Sequence, residues 1–411
     1  MLVSIIIPIY NRENFIAQCL DSIVFSNLAD YEIILVDDNS NDKSIEICEK
    51  YVERYKCISL YRLSENVGPG MAREFGIKCA NGEFIYCVDS DDTLVTTKLA
   101  ILFEILKNNR NTDIFCFNHN LLYENGTSKT VNTFKTLGNL DTDSFFYKYP
   151  HCLTLTLCSC IFNREFISKN NIVNYRCSFL EDAMFACQAF LNAKNIYTIN
   201  EAFYNYRYYS SNSLMKSLEY EGRLNGIITF SKNLISYKAL INSNPKQVAY
   251  DYAFYSLGMR LLLLSIESNK LSTKDTRGFK IDLNFEEIFT DFNDKQIPNM
   301  IFGYIYEKIK AYTLNFSKKI YFAPAGIFSL AIAKELGKCD VKIAGFLDNN
   351  SKNSPYANRA VNDGFLVLPI ENTNLDNSLV VIAHTTLATV ELSSQFEKIG
   401  LIKDKDFICF I

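Results

Sequence analysis

An apolar run that ends in acidic residues, Phe84-Ile85-Tyr86-Cys87-Val88-Asp89-Ser90-Asp91-Asp92, is the most informative segment of this 411-residue sequence. Its first five residues are apolar or aromatic and predict a buried β-strand. The four polar residues that follow predict the turn at which the strand ends. Strand alternation and the turn would project the carboxylates into a cleft at the end of the strand.

The same arrangement, a buried strand followed by polar residues, occurs twice upstream. Residues 2–7 predict a strand that leads into a loop with Pro8, Tyr10 and Asn11, and residues 31–36 predict a strand that ends at Asp37 and Asp38. Apolar residues recur at helical spacing at 11–26, 44–55 and 70–79, which predicts a helix after each of the first three strands, the third strand lying at 58–63. The alternation predicts an α/β fold with a mostly parallel sheet between helices, in which ligands bind at the carboxyl ends of the strands.

Length and composition favour a soluble protein of several domains. A chain of 411 residues with 48% hydrophobic residues exceeds one ordinary core. The net charge of −4 is small and the basic residues are dispersed, so we expect no nucleic-acid partner. The 13 cysteines lie mostly in apolar runs, which is typical of buried free thiols in a reducing compartment. No signal peptide or membrane span is predicted, so we expect a cytoplasmic protein, and peripheral contact with the inner face of the cell membrane stays an open alternative.

Three regions are predicted along the chain. Residues 1–213 form the α/β domain described above, and residues 214–314 form a helical linker or acceptor region with amphipathic segments at 221–234 and 248–266. The β–α alternation then resumes, which predicts a small Rossmann-like α/β domain at 315–411. A homodimer contact through the helical region is a further expectation.

The acidic turn has two interpretations. Like charges at Asp89, Asp91 and Asp92 repel each other, and a hard divalent cation such as Mg²⁺ or Mn²⁺ would relieve that repulsion by binding carboxylate and phosphate oxygens. Alternatively, these residues only cap the helix that follows. The motif by itself does not decide between a metal site and a cap.

Further candidate ligands lie in the neighbouring loops. Tyr10 offers an aromatic face for a nucleobase, and an acidic side chain at Asp37 or Asp38 can accept hydrogen bonds from a base or ribose. The segment at Asn66 and Gly68 lets the backbone approach a phosphate, with Arg73 on the following helix. Each feature alone is explained by turn chemistry, but turn chemistry does not explain their coincidence at one edge.

These blocks, in this order and spacing, resemble the GT-A glycosyltransferases of family 2 over about the first 210 residues. The resemblance implies an inverting transfer of a sugar from a nucleoside diphosphate. It assigns base recognition to Asp37 or Asp38, and it places Asp89 near the ribose and the metal, with Ser90 beside it. It assigns Asp91 to the metal.

The resemblance extends to two catalytic candidates farther along the chain. The segment Phe179-Leu180-Glu181-Asp182 is similar to the Glu-Asp segment of the family, which implies that Asp182 is the general base. Its structural alternative is a carboxylate favoured at a helix N-terminus. Arg207 lies in a segment similar to the one that closes over the diphosphate, with a surface ion pair as its alternative. Leu180 departs from the family, in which a glycine is frequent at this position.

The C-terminal domain carries a degenerate dinucleotide-binding pattern. Gly326 lies in the strand-to-helix turn and Asp348 follows it by 22 positions, at the end of the next strand. Pro324 and Ser329 replace the expected glycines, and proline removes an amide donor from the turn. We therefore expect a packing or acceptor-orienting role here rather than an active nucleotide site. His384 is a candidate lining residue whose alternative is a hydrogen-bonded structural histidine.

The sequence thus predicts an inverting, metal-dependent glycosyltransferase of bacterial surface polysaccharide synthesis. The expected donor is a UDP-sugar, and the expected acceptor is a hydroxyl of a glycan or a lipid-linked molecule. One alternative is a nucleotidyltransferase, although a Gly-rich loop with a lysine would then follow the first strand. The other is a non-catalytic scaffold that binds a sugar nucleotide.

Overall fold

The computed structural model describes residues 1–208 except 27, 150, 151, 155, 156 and 178, and residues 220–250 except 248. Beyond residue 250 it describes chiefly 318–323, 340–348, 366–370, 373–382, 395–399 and 407–409, together with 253, 306, 309, 310, 329, 333, 336, 337, 392 and 401. The chain forms two compact units, Met1–Tyr250 and Asp251–Ile411. None of the helices described in these ranges is long and apolar enough to cross a membrane.

The first unit begins with the strand–helix alternation that the sequence predicts. Its elements are β1 (Val3–Ile9), α1 (Ile16–Val24), β2 (Tyr31–Asp37), α2 (Ser44–Arg54), β3 (Ile58–Arg62), α3 (Pro69–Cys79) and β4 (Phe84–Cys87). Strand β1 runs beyond the predicted end at residue 7, so Pro8 is a buried strand residue rather than a loop residue.

The rest of the first unit adds shorter strands and further helices. In chain order these are β5 (Thr93–Leu94), α4 (Leu99–Asn108), β6 (Ile114–Tyr123), β7 (Ser128–Val131), β8 (Gly138–Asp141), α5 (Thr142–Lys148), β9 (Cys160–Asn163), α6 (Arg164–Lys169), α7 (Glu181–Asn192), β10 (Asn195–Tyr208) and α8 (Tyr220–Ser236). Single 3-10 turns lie at Thr96–Lys98, Cys152–Thr154, Leu157–Ser159 and Tyr237–Leu240. Helix α8, in the predicted helical middle region, belongs to this first compact unit.

The main sheet is mixed, whereas the sequence predicts a mostly parallel one. Its order is β3-β2-β1-β4-β9-β6-β10-β5, with β7 on β6 and β8 on β10. The first four strands are parallel. Strand β9 is antiparallel to both of its neighbours, β10 is parallel to β6, and β5 is antiparallel to β10. An apolar run predicts a buried strand but not its direction, which is why the sequence did not reveal the reversal.

Helices cover both faces of the parallel strands. Successive side chains of a strand point to opposite faces. On β1, Ile5 and Ile7 pack in the core that includes Ile16 and Leu20 of α1. On the other face, Gly76 of α3 lies directly against Ile6. The parallel part of the sheet therefore lies between helices, as predicted.

Gly76→Ala is expected to destabilise the protein by about 1–3 kcal/mol, the usual range for overpacking a core. A Cβ at this position would lie 2.4 Å from Cγ2 of Ile6. Ile6 is branched at Cβ and fully buried, so its side chain cannot swing away. Urea denaturation measures the change, with the helical Gly337→Ala as control because no atom within 4 Å would meet its added Cβ. Equal stability of the two variants would contradict this account of the packing.

The second unit contains a five-stranded parallel sheet. Its strands are β11 (Lys319–Ala323), β12 (Ile343–Leu347), β13 (Val367–Leu368), β14 (Ser378–Ile382) and β15 (Phe407–Cys409), in the order β13-β12-β11-β14-β15. In chain order this is 3-2-1-4-5, the arrangement of Rossmann-type sheets. Asp348 follows β12, as the sequence predicts, and Ser329 is buried. Pro324, Gly326 and His384 lie outside the described residues.

Candidate active site

The carboxyl ends of β1, β2 and β4 lie together at one edge of the sheet. Strand β1 pairs in parallel with β2 on one side and with β4 on the other. The polar residues that follow these three strands therefore share one edge, where ligands bind in open parallel sheets.

Both oxygens of Asp89 accept hydrogen bonds from side chains of the protein. Arg73 donates from Nη2 to Oδ1 at 2.7 Å, and the Cys158 thiol donates to Oδ2 at 3.1 Å. Burial alone would raise the pKa of Asp89, but the adjacent guanidinium outweighs it and holds the pKa below its ordinary value. Asp89 is thus negatively charged, and each of its oxygens accepts a hydrogen bond from a side chain of the protein.

Asp91 is more open. Its side chain is 40% exposed, and its Oδ2 lies 3.4 Å from Nε of Arg12. Arg12 is anchored by hydrogen bonds from Nη1 to the carbonyls of Tyr10 and Asn11, each 3.1 Å long. Burial and the nearby Asp89 raise the pKa of Asp91. An additional cation at Asp91 would favour its charged form.

Asp92 ties the acidic turn to β10. Its Oδ2 accepts from the Tyr204 hydroxyl at 2.5 Å, and its Oδ1 accepts from the backbone N–H of Arg207 at 2.7 Å. The same hydroxyl accepts from the backbone N–H of Asp89 at 3.3 Å. Asp92 is therefore a structural link between the turn and the strand that carries Arg207.

The guanidinium of Arg207 packs against the N-terminal end of α1. Nη2 donates to Oε1 of Gln18 at 2.5 Å, and the group lies over the ring of Phe15, 5.4 Å from its centroid. Among the described residues, its buried Nε has no hydrogen-bond partner. The structure thus brings Arg207 to the edge of the acidic turn, and its role toward a diphosphate stays a prediction.

At the end of β2, the two aspartates both accept hydrogen bonds from backbone groups. Both oxygens of Asp37 lie 3.2 Å from the N–H of Ser40. The carboxylate of Asp38 accepts from the N–H groups of Val67 and Gly68 at 2.7 and 2.9 Å. Burial raises the pKa of Asp38 despite these donors. Asp38 therefore fixes the loop before α3, in which Gly68 has a φ of 88° that favours glycine.

The remaining nucleotide-site candidates occupy the same edge. Asn11 connects the first two loops, because Oδ1 accepts from the N–H of Asn41 and its own N–H donates to Oγ of Ser40, both at 3.0 Å. Tyr10 is exposed, as a stacking residue would have to be, and Asn66 is exposed beside the loop that Asp38 fixes. Ser90 is buried within the acidic turn.

Asp182 lies at the N-terminus of α7 and is connected to the acidic turn through its neighbour. Arg73 joins Oε1 of Glu181 to Oδ1 of Asp89, with distances of 3.1 and 2.7 Å. Burial and the charge of Glu181 raise the pKa of Asp182 to about 7, against the opposing effect of Arg73. A carboxylate with this pKa suits a general base near neutral pH.

The donor set fits a divalent cation only in part. In the described residues, no group of three or more His, Cys, Asp or Glu side chains could hold a metal ion. The oxygens of Asp89 and Asp92 are engaged by protein donors, so Asp91 is the most available ligand. Mg²⁺ commonly uses one or two carboxylates together with substrate phosphates and water. Asp91 with a diphosphate is compatible with that pattern.

Three residues of this network were not predicted as site residues from the sequence: Arg12, Cys158 and Glu181. Arg12 and Glu181 each adjoin a predicted residue, so their positions beside the motifs were the available signal. Asp92 was predicted as one of three carboxylates near a cation, but both of its oxygens accept hydrogen bonds from the protein. Cys158 is one of the 13 cysteines that the sequence predicts to be mostly buried free thiols, and the sequence carries no signal that it reaches Asp89.

Residues 4–170 match the protein-family model described as glycosyl transferase family 2. The N-terminal domain belongs to glycosyl transferase family 2. This confirms the family that the sequence motifs indicated. The matched residues include β1 to β4 and the acidic turn, whereas Asp182 and Arg207 lie beyond them.

Relatives of the family 2 domain include enzymes that glycosylate different acceptors. A cholesterol galactosyltransferase of Borreliella burgdorferi is 29% identical over 339 residues, covering 78% of this chain and 94% of that protein. A poly(ribitol-phosphate) beta-glucosyltransferase of Bacillus spizizenii is 34% identical over 213 residues, covering 51% of this chain and 32% of that protein. The chain therefore spans nearly all of the first relative and about a third of the second.

Solved structures show the same fold as the family 2 domain. Staphylococcus aureus TarS 1–349 superimposes with a TM-score of 0.51 at 21% identity, covering 76% of this chain and 86% of that chain. TarS 1–349 in complex with UDP-GlcNAc gives a TM-score of 0.52, also at 21% identity, with 76% and 81% covered. At this level of identity, the likeness establishes the fold.

Proposed function

We propose that the chain is an inverting glycosyltransferase that transfers a sugar from a UDP-sugar to a hydroxyl of a cell-surface glycan or a lipid-linked acceptor. The observation that carries the proposal is the chain of contacts from Asp89 through Arg73 to Glu181, next to Asp182. It connects the donor-side carboxylates to a base whose pKa is about 7.

In the proposed reaction, an acceptor oxygen attacks the anomeric carbon while the bond from that carbon to the diphosphate breaks. Asp182 takes the proton of the acceptor hydroxyl, and the nucleoside diphosphate leaves with the electron pair of the broken bond. A divalent cation, when bound at Asp91, would neutralise charge on the diphosphate. Arg207 and Arg12 supply further positive charge beside Asp91.

The relatives support this choice of donor and acceptor. A structure of TarS contains UDP-GlcNAc, and two relatives bear names that refer to poly(ribitol-phosphate) and to minor teichoic acid biosynthesis. Another relative is named for cholesterol. These names motivate a UDP-sugar donor and an acceptor that belongs to the cell surface.

The proposal is tested by following nucleotide release from UDP-, GDP- and dTDP-sugars with Mn²⁺ or with EDTA. We expect UDP release that requires Mn²⁺ and is lost in Asp91→Asn. Glu165→Gln is the matched control, because it removes one negative charge from an exposed ion pair on α6. Absence of both binding and turnover of every donor would refute the transferase and favour a scaffold protein.

Donor turnover is expected to rise with pH around a midpoint near 7, because Asp182 must be unprotonated to act as a base. Glu181→Gln removes the negative neighbour that raises the pKa of Asp182, so the midpoint should move to lower pH. Rates of UDP release between pH 5 and about 9 measure this shift. An unchanged midpoint in Glu181→Gln, with Glu165→Gln as reference, would mean that Asp182 does not control the rate.

A further inference from the structure

Leu180 is an outlier of the backbone. Seven residues other than glycine have a positive φ in the described part of the chain, and six of them are Asn or Asp: Asn11, Asp30, Asn39, Asn171, Asp340 and Asn377. Asn and Asp tolerate this region because their short polar side chains bond locally to the backbone. Leu180, with φ 65° and ψ 17°, has no such side chain. Its conformation is therefore strained.

Contacts on both sides fix this conformation. The carbonyl of Leu180 accepts from the N–H of Met184 at 3.0 Å in the first turn of α7. The carbonyl of Phe179 accepts from the Cys177 thiol at 3.0 Å. Helix α8 approaches so closely at Gly226 that a Cβ there would lie 2.5 Å from the same carbonyl oxygen. The surrounding structure thus imposes a turn that glycine would adopt without strain.

The side chain of Leu180 is less buried than those of its two neighbours. Phe179 and Glu181 on either side are buried, whereas the side chain of Leu180 is only partly buried. It precedes the proposed base, Asp182, by two residues. Strained residues that the surrounding structure holds in place cluster at functional sites. A partly exposed apolar side chain beside the base is suited to contact a substrate.

We propose that Leu180 is a specificity-determining residue that contacts an apolar group of the acceptor, next to the hydroxyl that Asp182 deprotonates. The inference rests on the proposed function and deepens it by naming the acceptor class. Leucine offers no hydrogen bond, so its contribution is the removal of apolar surface from water. The acceptor would therefore carry an alkyl or ring system close to its reactive hydroxyl.

The test compares octyl β-glucoside with methyl β-glucoside as acceptor probes, using whichever UDP-sugar the protein hydrolyses. For the wild type we expect a higher kcat/KM with the octyl probe. Leu180→Gly and Leu180→Ala should each lower the octyl-to-methyl ratio by about tenfold, the effect of losing one apolar contact. Both probes are measured with the same donor, so a change in donor use that is equal for both leaves the ratio unaltered.

Thermal unfolding distinguishes the effect of losing the side chain from the effect of relieving the backbone strain. Leu180→Gly should raise the Tm because it relieves the strain, whereas Leu180→Ala keeps the strained backbone and should not raise it. Asn171→Gly is the matched control: this exposed residue has a φ of 49°, and its replacement should leave the acceptor ratio unchanged.

Two results would overturn the inference while leaving the proposed function intact. One is an octyl-to-methyl ratio that neither Leu180 variant changes. The other is a wild-type protein that hydrolyses a UDP-sugar but does not prefer the octyl probe or uses neither probe. A wild-type protein that binds and turns over no donor would instead refute the proposed function, and the inference with it.

Discussion

Asp182→Asn is expected to lower the rate of sugar transfer by about 10²- to 10⁴-fold, the usual contribution of a general base. The amide keeps the size of the side chain but cannot take the acceptor proton at neutral pH. Burial and the charge of Glu181 raise the pKa of Asp182 to about 7, so the native group is well matched to proton transfer. Donor binding should persist, because the change leaves the carboxylates of the acidic turn in place.

Two measurements are needed for this variant. UDP release reports the rate, and titration calorimetry with the hydrolysed UDP-sugar reports donor affinity. Glu165→Gln provides the control for loss of one negative charge in an exposed ion pair. If Asp182→Asn turned over donor at the wild-type rate, another residue would have to be the base. If donor binding disappeared together with the rate, Asp182 would have a binding role instead.

Arg73→Met is expected to destabilise the protein by about 3–5 kcal/mol, the usual range for removing one partner of a buried ion pair. Arg73 is 6% exposed and lies between Asp89 and Glu181, which come from different elements. Methionine fills similar space but leaves two carboxylates without their cation. The free energy of unfolding from urea titration measures the effect.

The control for Arg73→Met is Arg176→Met. Arg176 pairs with Glu65 at 3.4 Å, and both side chains are 66% exposed. Exposed pairs contribute about 0–1 kcal/mol because water and salt screen them. Equal losses of stability in the two variants would show that the buried bridge adds nothing beyond a surface pair. Activity of Arg73→Met should fall as well, since Asp89 would lose a hydrogen bond that orients it.

The first four strands could be predicted because each is a short β-rich run bounded by polar turns, and their helices because apolar residues recur at helical spacing. The reversal of β9 could not, because Cys160-Ile161-Phe162-Asn163 would be equally apolar in either direction. The sequence predicts that β1 ends before Pro8, whereas in the structure Pro8 is a buried residue of this strand. Local pattern determines where strands form, and pairing partners determine their direction and length.

The sequence by itself determined the family, the positions along the chain of the acidic turn and the Glu-Asp segment, and the edge of the sheet that carries the acidic turn. These follow from local order along the chain, since parallel strands bring their carboxyl ends together. Only the tertiary structure decided which carboxylates are engaged: Asp89 by Arg73 and Cys158, and Asp92 by Tyr204 and the N–H of Arg207. It also decided that Leu180 has a left-handed conformation. Partners distant in sequence meet only when the strands and helices pack. Residue spacing therefore does not reveal which carboxylate oxygens accept hydrogen bonds, nor how the pKa values of these groups shift.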